Sequence, residues 1–166
     1  MSEQAFDVGA PAPGVTATVV PAAIAVMATA VALPAAAIAL LGTVLMTAGV
    51  RRGTRRLHTM GGALAFGGVL LAAASGAAPA FSLVGGAAAV LAWDAGDHSI
   101  GLGKQVGREA GARRGVLVHI GASAVAAVGI VLLATAVFLL ARTGQPSAAA
   151  GVLAAAVGIF ALVMSR

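Results

Sequence analysis

The sequence predicts an all-α, polytopic membrane helix bundle of about six transmembrane helices in three hairpins, and three observations predict it. Hydrophobic residues make up 60% of the 166 and charged residues only 9%, whereas a soluble globular domain carries about 25% charged residues. Mean hydropathy is +1.04. The apolar residues fall in long runs, and the basic ones gather in the breaks between them.

Residues 1–14 contain Glu3 and Asp7 but no Lys or Arg. They lack the positive n-region of a cleavable signal peptide and read as a short tail before a retained first helix. Residues 15–50 hold no charge; 36 residues in one helix would be about 54 Å long against a hydrocarbon core of about 30 Å. Pro34 near the middle removes a backbone donor and disfavours helix at Leu33. The reading is therefore two short helices, 16–32 and 35–50, or five spans in all if Pro34 only kinks a single one.

The basic run Arg51-Arg52-Gly53-Thr54-Arg55-Arg56 precedes a third helix, 57–75, closed by the turn former Gly76-Ala77-Ala78-Pro79. A fourth helix, 81–93, ends at Trp93. The polar stretch 94–115 follows and reads as a loop, and within it Leu102, Val106 and Ala110 recur every four residues, the pattern of a short interfacial helix. Helices 116–141 and 147–163, separated by the turn Arg142-Thr143-Gly144-Gln145-Pro146, complete the set and form a single transmembrane domain over 15–166.

Lys and Arg accumulate in short cytoplasmic loops. Here they follow helices two and four, and Arg166 follows helix six, which places both termini in the cytoplasm of a cell-membrane protein. Arg142 is the exception. Spacings such as Ala63/Gly67, Gly85/Ala89, Gly151/Ala155 and Ala154/Gly158 would let helix backbones approach closely in lipid, although an Ala-Gly-rich composition produces such spacings by itself.

Asp94, Asp97 and His98 stand at i, i+3 and i+4, so a helix continuing past Trp93 would gather them on one face able to hold a cation or relay a proton. The simpler reading pairs the carboxylates with arginines at the membrane exit, with Trp93 as interfacial anchor. His58 and His119, one or two turns into their helices, read as interfacial histidines in contact with headgroup water. Arg51, Arg52, Arg55 and Arg56 are candidates for anionic headgroups at about 1 kcal/mol each. Lys104, Arg108, Arg113 and Arg114 are candidates for a partner or lipid surface.

Several chemistries are excluded. The chain has no cysteine, hence no disulfide, thiolate ligand or cysteine nucleophile. The stretch Gly101-Leu102-Gly103-Lys104-Gln105-Val106-Gly107 is neither nucleotide motif: Val106 stands where the dinucleotide pattern needs Gly, and His98 and Gln105 where a Walker A loop needs Gly and Ser or Thr. No Asp, Glu, Lys or Arg occurs within 15–50, 57–91 or 116–141, which argues against an ion-coupled pump. No Ser-His-Asp set or His-Glu-x-x-His is present. The expectation is a non-enzymatic protein with no cofactor and no metal. The net charge of +5 lies between apolar runs, so it implies the bilayer, not nucleic acid; homo- or hetero-oligomerisation stays open.

The run from Ala92 through Trp93-Asp94-Ala95-Gly96-Asp97-His98 and Leu102-Gly103-Lys104-Gln105-Val106-Gly107-Arg108 to Arg113-Arg114 and His119 resembles a family of uncharacterised haloarchaeal multi-pass membrane proteins. Its pattern is close to Trp-Asp-x-Gly, Leu-Gly-x-Gln-x-Gly-Arg, then Arg-Arg and His. The resemblance marks Trp93, Asp94, Gly96, Leu102, Gly103, Gln105, Gly107, Arg108, Arg113, Arg114 and His119 as signature residues without assigning them chemistry. Asp97-His98 departs from the family's Glu-Asn. Genes of that family tend to neighbour MoxR-type AAA ATPases, which implies a membrane-associated assembly system. The expected function is a membrane subunit or scaffold docking a cytoplasmic partner through 94–115; the alternative is a small transporter or channel using Asp94, Asp97 and His98.

Overall fold

The computed structural model describes residues 9–107, 113–144 and 151. They form α1 (Ala12–Ala28), α2 (Leu33–Arg51), α3 (Arg55–Ala74), α4 (Pro79–Val106) and α5 (Arg113–Arg142), with no strand among the described residues. All but α1 are long and apolar enough to cross a membrane. The expected helix over 147–163 lies outside the described residues except for Gly151, which is helical. Four candidate spans, not six, are therefore found among the described residues.

The uncharged run 15–50 is two helices, not one kinked helix. The chain turns at 29–32, where Thr29 Oγ1 donates to the Val26 carbonyl at 2.6 Å. Pro34 lies in the first turn of α2, where a missing N–H has no intrahelical partner to lose. Pro21 is carried inside α1 instead.

The chain divides into two compact units, Met1–Val128 and Gly129–Arg166. In the first, α2 and α3 meet along a seam of small residues. Ala35, Ala39, Gly42, Met46 and Gly49 are buried on α2, and His58, Gly61, Ala65, Gly68 and Ala72 on α3. The spacing of three and four residues is that of an antiparallel helix pair. The backbones touch: a Cβ added at Gly61 would lie 2.6 Å from the Gly42 carbonyl oxygen, and one at Gly68 2.8 Å from that of Ala35. The pair Ala63/Gly67 is not part of this seam; Ala63 is exposed, and nothing lies near Gly67. Gly85/Ala89 does form a contact, with Ala28 against Gly85 and Ala89 buried beside Ala25, Val69 and Ala88. Of the pairs further along, Gly151 has no neighbour near it among the described residues, and Ala154, Ala155 and Gly158 lie outside them.

α4 does not stop at Trp93. It continues to Val106, and residues 94–106 are helix, not loop. The cause is one buried stripe, Ala92, Ala95, Gly96, Ser99, Ile100 and Gly103, packed on the start of α1 and on the end of the α2–α3 pair. Gly14 lies against Ser99, and Ile100 clusters with Ala10 and Val50. The stripe is offset from the expected apolar row: Leu102 is half-buried, and Ala110 lies outside the described residues. Gly107 ends the helix at φ 81° and ψ 164°, a conformation open to glycine alone.

Thr18, Thr43, Thr47 and Ser99 each donate their hydroxyl to the carbonyl four residues earlier, at 2.6–2.9 Å, so their polar groups are satisfied within their own helices. In the second unit, the described part of α5 closes with the Thr143 N–H on the Leu139 carbonyl at 3.1 Å and Gly144 at positive φ. Arg142 lies over the Phe138 ring, 5.5 Å from its centroid.

Candidate functional site at the basic end of the bundle

The polar residues of the first unit gather at the end where α2 stops and α3 starts. Asp97 of α4 takes a bidentate ion pair from Arg55, with Nη2 to Oδ2 at 3.1 Å and Nε to Oδ1. This pair sets Asp97 level with the start of α3. Pro79 to Asp97 is 19 residues, about 28 Å of helix, matching the 20 residues of α3. The rest of α4 therefore projects about 13 Å further.

One turn below, His58 is fully buried, not wet. Its Nε2 donates to the Trp93 carbonyl at 2.8 Å, and its Nδ1 lies 3.3 Å from the Met46 carbonyl. A buried imidazole needs such partners, and these tie α3 to both α4 and α2. Two signature residues make the space. A Cβ at Gly96 would lie 2.6 Å from His58 Nε2, and the Trp93 ring covers Gly62, 2.9 Å from where its Cβ would be.

The remaining groups face α5. Ser123 Oγ donates to Asp94 Oδ2 at 2.6 Å. His119 Nε2 lies 2.9 Å from the same oxygen, off the line a hydrogen bond needs. The His98 and His119 rings stack with centroids 3.9 Å apart and 9° between planes, and the Nε2 atoms of both are buried without a hydrogen-bond partner among the described residues. The helical spacing of Asp94, Asp97 and His98 thus splits: Asp94 and His98 share a cluster with α5, while Asp97 belongs to Arg55. Among the described residues, the arginine pairing expected of both carboxylates holds for Asp97, while Asp94 meets Ser123 and His119 instead.

Such a cluster can hold or pass a proton, or offer a carboxylate and two imidazoles to a polar solute. Among the described residues, no three His, Cys, Asp or Glu side chains are arranged to hold a metal ion. Arg51, Arg52, Arg55, Arg56, Lys104, Gln105, Arg113 and Arg114 are exposed, and Arg108 lies outside the described residues. Sequence reasoning missed Ser123 and the burial of His58. The glycines at 61, 62 and 96, each opposite a bulky partner, were the available signal.

Apolar helices of membrane-crossing length, closed on a glycine seam and polar at one end, define the class: a helical, membrane-associated protein. The chain belongs to the family of unknown function DUF7519, whose model matches residues 9–163. No curated protein and no solved structure matches it.

The His58–Gly96 contact is a test of this geometry. Gly96→Ala should lower thermal stability in detergent by about 1–3 kcal/mol through overpacking, and should cost less in a His58→Ala background, where the ring is gone and Val50 Cγ2, 2.8 Å from the added Cβ, is left in the way. Additive losses in the double variant would contradict the contact.

Proposed function

We propose that this protein is a non-enzymatic, multi-pass membrane subunit or scaffold that docks a soluble cytoplasmic partner through residues 94–115. In this reading the basic end faces the cytoplasm, as the enrichment of Lys and Arg on that side of membranes favours. The observation that carries it is the projection of α4. A helix of 28 residues is about 42 Å long against a hydrocarbon core of about 30 Å. Its excess falls wholly at the end that bears Lys104, beside the 51–56 run and the helix start at Arg113 and Arg114. A rigid, basic, water-facing helix end suits an acidic protein surface. The resemblance to a haloarchaeal family with AAA ATPase neighbours makes an assembly factor of that class the partner to seek.

The chain pulled from native membranes in mild detergent should bring a soluble protein with it. Replacing Arg108, Arg113 and Arg114 with Glu should abolish that co-purification while membrane insertion is kept. Unchanged co-purification of the triple variant would sink the proposal.

A second reading, a small transporter or channel, is favoured by one observation: Asp94 and His98 lie against His119 and Ser123. Polar groups placed this deep are commonly part of a solute or proton path. Purified protein in liposomes should then support an ion or solute flux that falls about tenfold or more in Asp94→Asn, the loss of a charge-assisted contact worth about 1.5–3 kcal/mol. A flat trace from the unmodified protein would reject this reading.

A further inference from the structure

The four arginines at the α2–α3 turn are not equivalent. Arg55 is engaged by Asp97, and Arg56 lines neither of the two hollows found beside α2. Arg51 is in the last turn of α2, and Arg52 caps it. Two open hollows converge on Arg51. One, about 380 Å³, is a shallow groove along the outer face of α2 alone, past Thr43, Val44, Thr47 and Ala48, with Arg51 and Arg52 at its head. The other, about 430 Å³, is walled by Ala10, Ala12, Val15 and Thr16, with Arg51 at its head.

The walls are apolar despite three threonines. Thr16, Thr43 and Thr47 turn their hydroxyl protons onto carbonyls of their own helices, so none of those protons faces a ligand. A guanidinium carries five donors in a fork that matches a phosphate, so Arg51 can serve a headgroup alongside other contacts.

We infer that the end of α2 binds one two-tailed anionic phospholipid, its phosphate on Arg51 and Arg52 and one tail in each hollow. Charge complementarity at the head and two apolar channels below select a lipid over a soluble anion: a free phosphate would use the arginines and leave both hollows unfilled. The site is separate from the docking surface at Lys104, Arg113 and Arg114, so either proposal can fail alone.

The test is native mass spectrometry of the purified full chain titrated with phosphatidylglycerol or phosphatidylcholine of matched tails. One phosphatidylglycerol per chain should be retained, at least tenfold more tightly than phosphatidylcholine. Arg51→Gln with Arg52→Gln should weaken it about tenfold or more, whereas Arg56→Gln should not. Val44→Trp and Thr16→Trp, both at exposed positions, fill the hollows with the charges intact and should each weaken retention; they decide the matter if the double Gln variant does not insert. Equal retention by the double Gln variant, no effect of either Trp, or full displacement by inorganic phosphate would overturn the inference.

Discussion

The bundle depends on backbone contact between α2 and α3. Between helices in lipid there is no hydrophobic driving force, because the tails are as apolar as the side chains; association rests on close packing and on the few polar contacts available. Gly42, Gly49, Gly61 and Gly68 allow that closeness. Gly49 against His58 sets how far α3 slides along α2, and so where the His58 ring arrives. The ring then reaches the Trp93 carbonyl, which sets the height of α4. At that height Asp97 meets Arg55 and Asp94 turns toward His119. The polar end is thus a consequence of the seam.

That end concentrates nearly everything chemically informative in the described residues. His58 is held between helices and serves position; nothing about its burial suits exchange with water. Asp94, His98, His119 and Ser123 form the part with spare capacity, since the Nε2 atoms of His98 and His119 have no hydrogen-bond partner among the described residues. Beyond them α4 continues as a supported helix, one face buried on α1 through Ser99 and Ile100. A docking surface built there would be rigid, and binding to it would spend little on ordering.

Much of the architecture was legible in the sequence. The absence of charge over 15–50 together with Pro34 located two helices, and the breaks at 51–56 and 76–79 fell where the chain turns. What escaped was set by tertiary contact. Glycines at 96, 101 and 103 and the charges at 94 and 97 read as loop, yet burial of the stripe at 92, 95, 96, 99, 100 and 103 holds the segment in a helix. Local propensity argued for an end at Trp93, and packing overrode it. The seam's seven-residue spacings, 42/49 and 61/68, were not among the pairs singled out from the sequence, because in a chain with 23 glycines many other spacings compete. His58 looked interfacial because nothing local shows that Gly96, 38 positions away, leaves room for its ring. Of the signature residues, Trp93, Gly96 and Gly107 have packing or conformational reasons, and Asp94 and His119 meet; Gln105, Arg113 and Arg114 stand exposed.

The central claim, that backbone contact along the α2–α3 seam holds the bundle, is tested most directly by thermal unfolding in detergent of two variants differing only in place. Gly61→Leu lies in the seam, and Gly67→Leu lies on the same helix with nothing near its Cβ. The account predicts that the first loses about 1–3 kcal/mol or fails to fold, while the second changes stability by less than about 0.5 kcal/mol. Equal stability of the two variants would contradict it.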